Sequence, residues 1–74
     1  MEETFRNYSL KAAPVKTQRG KWSVCVTICR ENDGKTESER FYADDGIEYI
    51  LEVEAEKESI NLGRNLIKNG RVRF

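Results

Sequence analysis

The chain has 74 residues, of which 38% are hydrophobic and 35% are charged, and its 13 basic side chains balance its 13 acidic ones. This size and balance predict one small domain over residues 1–74 and exclude a disordered chain. The chain has no histidine, which excludes Ser-His-Asp and Cys-His nucleophile systems and imidazole metal ligands. Without a long apolar run or a secretory signal pattern, we expect a cytoplasmic protein with no membrane partner.

The first part of the chain carries weak signals. Residues 1–7 contain few apolar side chains and predict a loose segment. Residues 8–15 alternate imperfectly, and Pro14 has no amide hydrogen, so this segment is either an edge strand or no strand. The polar residues 16–21 predict a hairpin loop.

The clearest strand pattern covers residues 22–30. Bulky apolar side chains alternate there with small or polar ones, as on a pleated surface; the apolar set is Trp22, Val24, Val26 and Ile28. Cys25 and Cys29 then share the other face at about 13 Å from each other. That separation is too large for a disulfide, so we expect two free thiols.

A turn at Asp33-Gly34 predicts a second strand over residues 36–43, whose charged beginning indicates a solvated or edge position. Two interpretations compete after it. Asp45 and Glu48 have the spacing of a capping box that would open a helix. Alternatively, Asp45-Gly46 is a turn and residues 47–52 form a short strand, which their β-branched and aromatic content favours.

A helix is predicted over residues 53–69. Its buried stripe is expected to contain Ala55, Ser59, Leu62 and Leu66, widened by Ile60, Gly63 and Ile67. Gly63 costs about 1 kcal/mol relative to alanine in a helix, which indicates a close approach to the sheet. Asn69-Gly70 is a good helix stop, and residues 70–74 form a tail or a short strand.

These elements predict an α+β fold: a three- or four-stranded antiparallel meander in residues 8–52, with one C-terminal helix packed on one face. The other sheet face is left open. Because so small a core is marginal, a homodimer that covers the open face or a sheet edge is expected on stability grounds.

Several motifs resemble a set of short uncharacterised bacterial proteins of sheet-plus-C-terminal-helix type. They are the alternation from Trp22 to Ile28, the Asp-Gly turn, the aromatic pair at the end of the next strand, Glu54-Ala55, and a helix that closes with Gly63-Arg64, Ile67 and Gly70. The resemblance implies a small sheet-plus-helix domain and carries over no catalytic or binding residue.

The interpretation we favour from the sequence is a non-catalytic protein-interaction or assembly module, whose partner is a second copy or another protein. Asp44 and Asp45 point to opposite sides of an extended segment, which argues against a cooperating pair and against an enzyme. We expect no catalytic residue, metal site or cofactor.

The alternative is a nucleic-acid-binding protein with a basic patch drawn from loop 16–21 and the C-terminal tail. Basic residues concentrate in residues 1–21 and 59–74, where they could neutralise a phosphate backbone beside an aromatic ring. The residues of this patch are Lys16, Arg19, Lys21, Trp22, Arg64, Lys68, Arg71 and Arg73.

Overall fold

The computed structural model describes residues 1–74 and contains seven strands and one helix. They are β1 (Glu2–Phe5), β2 (Tyr8–Ala12), β3 (Val15–Lys16), β4 (Trp22–Ser23), β5 (Cys25–Asn32), β6 (Lys35–Tyr42), β7 (Glu48–Tyr49) and α1 (Glu52–Lys68). All strand pairs are antiparallel, and α1 packs on β2 and β5. The predicted α+β class with a C-terminal helix is confirmed.

The strands form two sheets where the sequence predicted one. The larger sheet has the order β1-β2-β5-β6, and the smaller has the order β3-β4-β7. Both belong to one long bent hairpin, because the pairing register runs unbroken from Ser9 opposite Cys29 to Lys16 opposite Trp22. The predicted segment 8–15 is thus two strands separated by Ala13 and Pro14.

The interruption between the two sheets, called the bend below, lies at Ala13 and Pro14; Pro14 occupies a position whose amide faces away from the partner strand, where proline is tolerated. Ala13 still donates its N–H to the Cys25 carbonyl at 2.9 Å. The Cys25 N–H instead donates to the Ser59 hydroxyl of α1 at 3.1 Å, and that hydroxyl donates to the Ala55 carbonyl at 2.7 Å. The helix therefore satisfies the amide that the bend removes from the strand ladder.

The prediction of a loose segment at residues 1–7 is wrong. Glu2–Phe5 is strand β1 and pairs along β2, with Glu3 opposite Leu10. The Arg64 side chain of α1 donates to both carboxylate oxygens of Glu3. A strand with few apolar residues is therefore held by its ladder and by this ion pair, neither of which is visible as hydrophobic periodicity.

The connection from β6 to β7 contains four extra residues. Tyr42 pairs with Cys25 and Tyr49 with Trp22, so seven steps on one side meet three on the other. Ala43 still donates to the Val24 carbonyl at 3.2 Å, which leaves residues 44–47 as the excursion. The Asp45 carboxylate accepts the Ile47 N–H at 3.0 Å, so the turn is confirmed and the capping box is wrong, while the predicted strand 47–52 is shortened to Glu48–Tyr49 because α1 begins at Glu52.

Helix α1 begins at Glu52, one residue before the predicted start, and buries Ala55, Ser59, Ile60, Gly63 and Ile67. An added Cβ at Gly63 would lie 3.1 Å from a Leu10 methyl carbon and 3.2 Å from one of Val26. The predicted close approach is confirmed.

The helix ends as the Asn69-Gly70 pair predicts. Gly70 has a positive φ of 67°, Gly70 donates to Ile67, and Arg71 donates to Leu66, as in a Schellman motif. Residues 71–74 form no strand; Val72 and Phe74 pack against the core.

Candidate protein-interaction surface

An exposed run of large apolar side chains surrounds the start of α1. The exposed fractions are 50% for Ile47, 75% for Ile50, 55% for Leu51 and 48% for Val53. These four residues are called the 47–53 surface below. Single exposed apolar residues are ordinary on protein surfaces, whereas four within seven consecutive residues are a concentration that marks a candidate interaction site.

Two local features keep this surface uncovered. Ile47 ends the four-residue excursion, so it lies outside the β6–β5 ladder. Val53 lies in the first turn of α1, ahead of the first buried residue of the helix, Ala55. The chain therefore exposes these side chains in the conformation that also buries the core.

Leu51 occupies the N-cap position of α1 and makes no side-chain capping hydrogen bond. Ser, Thr, Asp and Asn are preferred there because their side chains accept a free N–H of the first turn. An exposed leucine at this position gives up capping energy and adds solvent-exposed apolar area.

The 47–53 surface is embedded in negative charge. Residues 44–58 contain seven carboxylates and one lysine, a net charge of −6. Only Glu56 among these carboxylates forms an ion pair, with the amino terminus at 3.7 Å. The remaining carboxylates are free to interact with a cationic group.

A cavity of about 160 Å³ lies between the excursion and α1, and two of its lining residues, Asp45 and Tyr49, are close in the chain to Ile47 and Ile50. Its lining residues are Val24, Ala43, Asp45, Tyr49, Glu58, Asn61, Leu62 and Asn65. Burial and the neighbouring carboxylates of Glu58, Asp45 and Glu54 raise the pKa of the Tyr49 phenol. The phenol therefore lies in a negatively charged environment, and a bound cation would partly neutralise that charge.

The open face of the larger sheet has a different character. The pairs Thr27–Arg40 and Cys29–Ser38 lie on it, together with Ser9 and Thr4 of the neighbouring strands. A shallow groove of about 510 Å³ at one end is lined mostly by polar residues, including Arg6 and Cys29. This face offers hydrogen-bonding groups and little apolar area to a second copy.

The outer strand β6 is exposed along almost its whole length and carries Lys35, Glu37, Glu39 and Arg40. Charged side chains on an edge strand disfavour pairing with another chain. Neither of the two surfaces from which the sequence predicts a homodimer has the apolar character of the 47–53 surface.

The structure divides the predicted basic patch into two groups. Lys16, Arg19, Lys21 and Trp22 lie in or beside the β3–β4 hairpin, and β4 pairs with β7 just before α1 begins. Lys68 lies over the Phe5 ring at 5.8 Å, at the other end of α1, and Arg71 and Arg73 follow it. The helix has 17 residues, about 25 Å of length, which keeps the two groups apart.

Besides Lys68, three further side chains of the predicted patch have internal partners: Lys16, Trp22 and Arg64. Trp22 is half-buried, pairs with Tyr49, and has the Lys16 ammonium 5.9 Å from its ring centroid. Arg64 is bound to Glu3. Arg71 and Arg73 share a second groove with Glu39, of about 470 Å³.

Both cysteines are free thiols, as expected; Cys25 is buried and Cys29 is half-buried. Burial is the main cause that raises the pKa of Cys25. No group of three or more cysteine or carboxylate side chains is arranged to hold a metal ion. The helix lacks the length and apolar character that a membrane crossing requires.

Searches against protein-family models, curated proteins and solved structures each found no match.

Proposed function

We propose that this protein is a non-catalytic protein-interaction module that binds its partner through the 47–53 surface. The observation that carries the proposal is the exposure of four large apolar side chains, Ile47, Ile50, Leu51 and Val53, within seven consecutive residues of a chain that buries only ten. Covering such a surface removes apolar area from water, at roughly 25 cal/mol per Å² before the costs of association.

The free energy of folding does not explain this surface. Leu51 makes no capping hydrogen bond at the helix start. None of the four side chains belongs to the buried core cluster or to the half-buried residues that pack against it. Residues that contribute to neither capping nor packing, and that lie together, are best supported as contact residues.

Nucleic-acid binding is the weaker proposal. It depends on one basic patch, but its two groups are separated along α1 and Arg64 is held by Glu3. The charge nearest the 47–53 surface is negative, which repels a phosphate backbone.

The test compares proteins captured from cell extract by the native chain and by an Ile50→Ser, Leu51→Ser variant. Ile50→Val, Leu51→Met is the matched control because it keeps the surface apolar. We expect the control to retain a partner that the serine variant loses, with neither variant less stable than the native chain. Identical capture by all three chains would contradict the proposal.

A further inference from the structure

We infer that the partner presents a cationic amphipathic segment, one of whose Lys or Arg side chains enters the cavity beside Tyr49. This inference rests on the proposed function, since it names the chemistry that the 47–53 surface binds. It is carried by the charge of the surface, the lining of the cavity and the poor fit of a second copy.

The charge of the surface selects the sign of the partner. Residues 44–58 have a net charge of −6, and their one internal ion pair uses the amino terminus. A partner with lysine or arginine between its apolar contacts gains attraction and a faster encounter, whereas an acidic partner is repelled.

The cavity suits a long cationic side chain. Val24 and Leu62 supply apolar wall for a methylene stem, and Asp45 and Glu58 supply carboxylates for the charged head. Each carboxylate makes one internal hydrogen bond, to the Ile47 N–H and to the Asn61 amide respectively. A carboxylate has about four acceptor sites, so both keep free acceptors. The Tyr49 ring adds a surface that attracts cations.

A second copy is a poorer occupant. A symmetric contact through the 47–53 surface would bring two strongly acidic segments together. The basic end of the chain, with Lys68, Arg71 and Arg73, adds little exposed apolar area, because Val72 and Phe74 are half-buried against the core. Neither arrangement satisfies both the apolar side chains and the carboxylates.

The test uses three synthetic 14-residue peptides that share one helical leucine pattern and carry Lys, Gln or Glu at all other positions. Their affinity for the full chain is measured by calorimetry at low and moderate salt. We expect the Lys peptide to bind at least about ten-fold tighter than the Gln peptide, with an affinity that falls as salt rises, and the Glu peptide not to bind.

Two charge variants locate the contact. The Asp45→Asn, Glu58→Gln variant should bind the Lys peptide about ten-fold more weakly than the native chain does. The Glu37→Gln, Glu39→Gln variant removes the same charge from β6, and its affinity for the Lys peptide should change less than about two-fold. Equal weakening by both variants would overturn the inference, as would the absence of binding by any peptide.

The remaining outcomes separate this inference from the proposed function. If the Gln and Lys peptides bind equally and Ile50→Ser, Leu51→Ser abolishes both, the cationic partner is wrong and the proposed surface stands. If the Lys peptide binds that serine variant unchanged, the apolar surface itself is wrong. A dimer of the free protein that dissociates in Asp45→Asn, Glu58→Gln would identify a second copy as the occupant and overturn the inference.

Discussion

Two sets of aliphatic side chains differ in their exposure to solvent. Leu10, Val26 and Ile28 lie on the face of the larger sheet that α1 covers and are fully buried. Ile47, Ile50, Leu51 and Val53 lie around the start of the same helix and are 48% to 75% exposed. Residue type is similar in the two sets, so the difference comes from position in the fold.

Position is decided by register. The first set keeps the alternation of an unbroken ladder under the helix, so each side chain meets α1. The second set begins where four extra residues break the ladder and continues through an uncapped helix start. The covered set therefore holds the fold together, and the uncovered set faces solvent, where the proposed partner would bind.

The largest expected effect is on the covered set. Gly63→Val places methyl groups where a Cβ alone already meets Leu10 at 3.1 Å, and such overpacking costs about 1–3 kcal/mol of unfolding free energy. Gly63→Ala should change stability less, since the gain in helix preference of about 1 kcal/mol offsets the tight contact. Urea unfolding measures both. A valine variant as stable as the native chain would show that α1 is not pressed on the sheet.

The bend is tested next, by Ser59→Ala. Removing the hydroxyl leaves the buried Cys25 N–H without a partner, a loss of about 1–3 kcal/mol. Ser59→Cys is a control of similar size with a weaker acceptor, and its free energy of unfolding should lie between those of the native chain and the alanine variant. The measurement is urea unfolding, with hydrogen exchange at the Cys25 amide. Unchanged exchange at that amide in the alanine variant would contradict the role of Ser59.

Leu51→Ser sharpens the contrast because it should separate stability from binding. Serine supplies the missing cap to α1, a gain of about 1 kcal/mol, which raises Tm by about 4–8 °C for a domain of this size. The same change removes exposed apolar area from the 47–53 surface and should weaken partner binding. Leu51→Met should leave both quantities near native values. A drop in Tm for the serine variant would mean that Leu51 contributes to the fold.

The smallest effect concerns the thiols. Cys25 is fully buried and Cys29 is partly accessible, so iodoacetamide should modify one thiol per folded chain, at Cys29, and two after unfolding. Modification of both thiols at equal rates in the folded chain would show that the strand bend opens.

The Cys25 thiol also predicts a pH dependence. Its folded pKa is raised above the usual 9.0, so the folded state binds more protons than the unfolded state between the two values. The stability this provides is complete below pH 9.0 and is lost as pH rises through the folded pKa. Tm should therefore fall less at alkaline pH in Cys25→Ala than in the native chain. Equal falls would contradict this assignment.

The sequence predicts the covered set well because the helical stripe and the strand alternation are local patterns. The Asp33-Gly34 turn and the Asn69-Gly70 stop behave as predicted, and the segment from Trp22 to Ile28 is extended but divided at Val24 into β4 and β5. Strand β1 was missed because it has few apolar residues and is held by a tight hairpin ladder with β2 and by an ion pair to the distant Arg64. Local composition does not show either contact.

The 47–53 surface was missed for a related reason. Residues 47–52 fit a strand or a helix about equally well, and either assignment hides some of their side chains. The available signal was that Leu51 occupies a position where a helix start favours Ser, Thr, Asp or Asn, within an acidic segment. Exposure itself depends on the four-residue excursion, which only the pairing of β7 with β4 reveals.

The most direct test of the interaction surface is a chemical-shift titration of the isotope-labelled full chain with the Lys peptide. The account predicts that backbone amide shifts concentrate in residues 45–58 and at Val24, around the 47–53 surface and its cavity. Shifts that centre instead on β6 or on the open face of the larger sheet would contradict it.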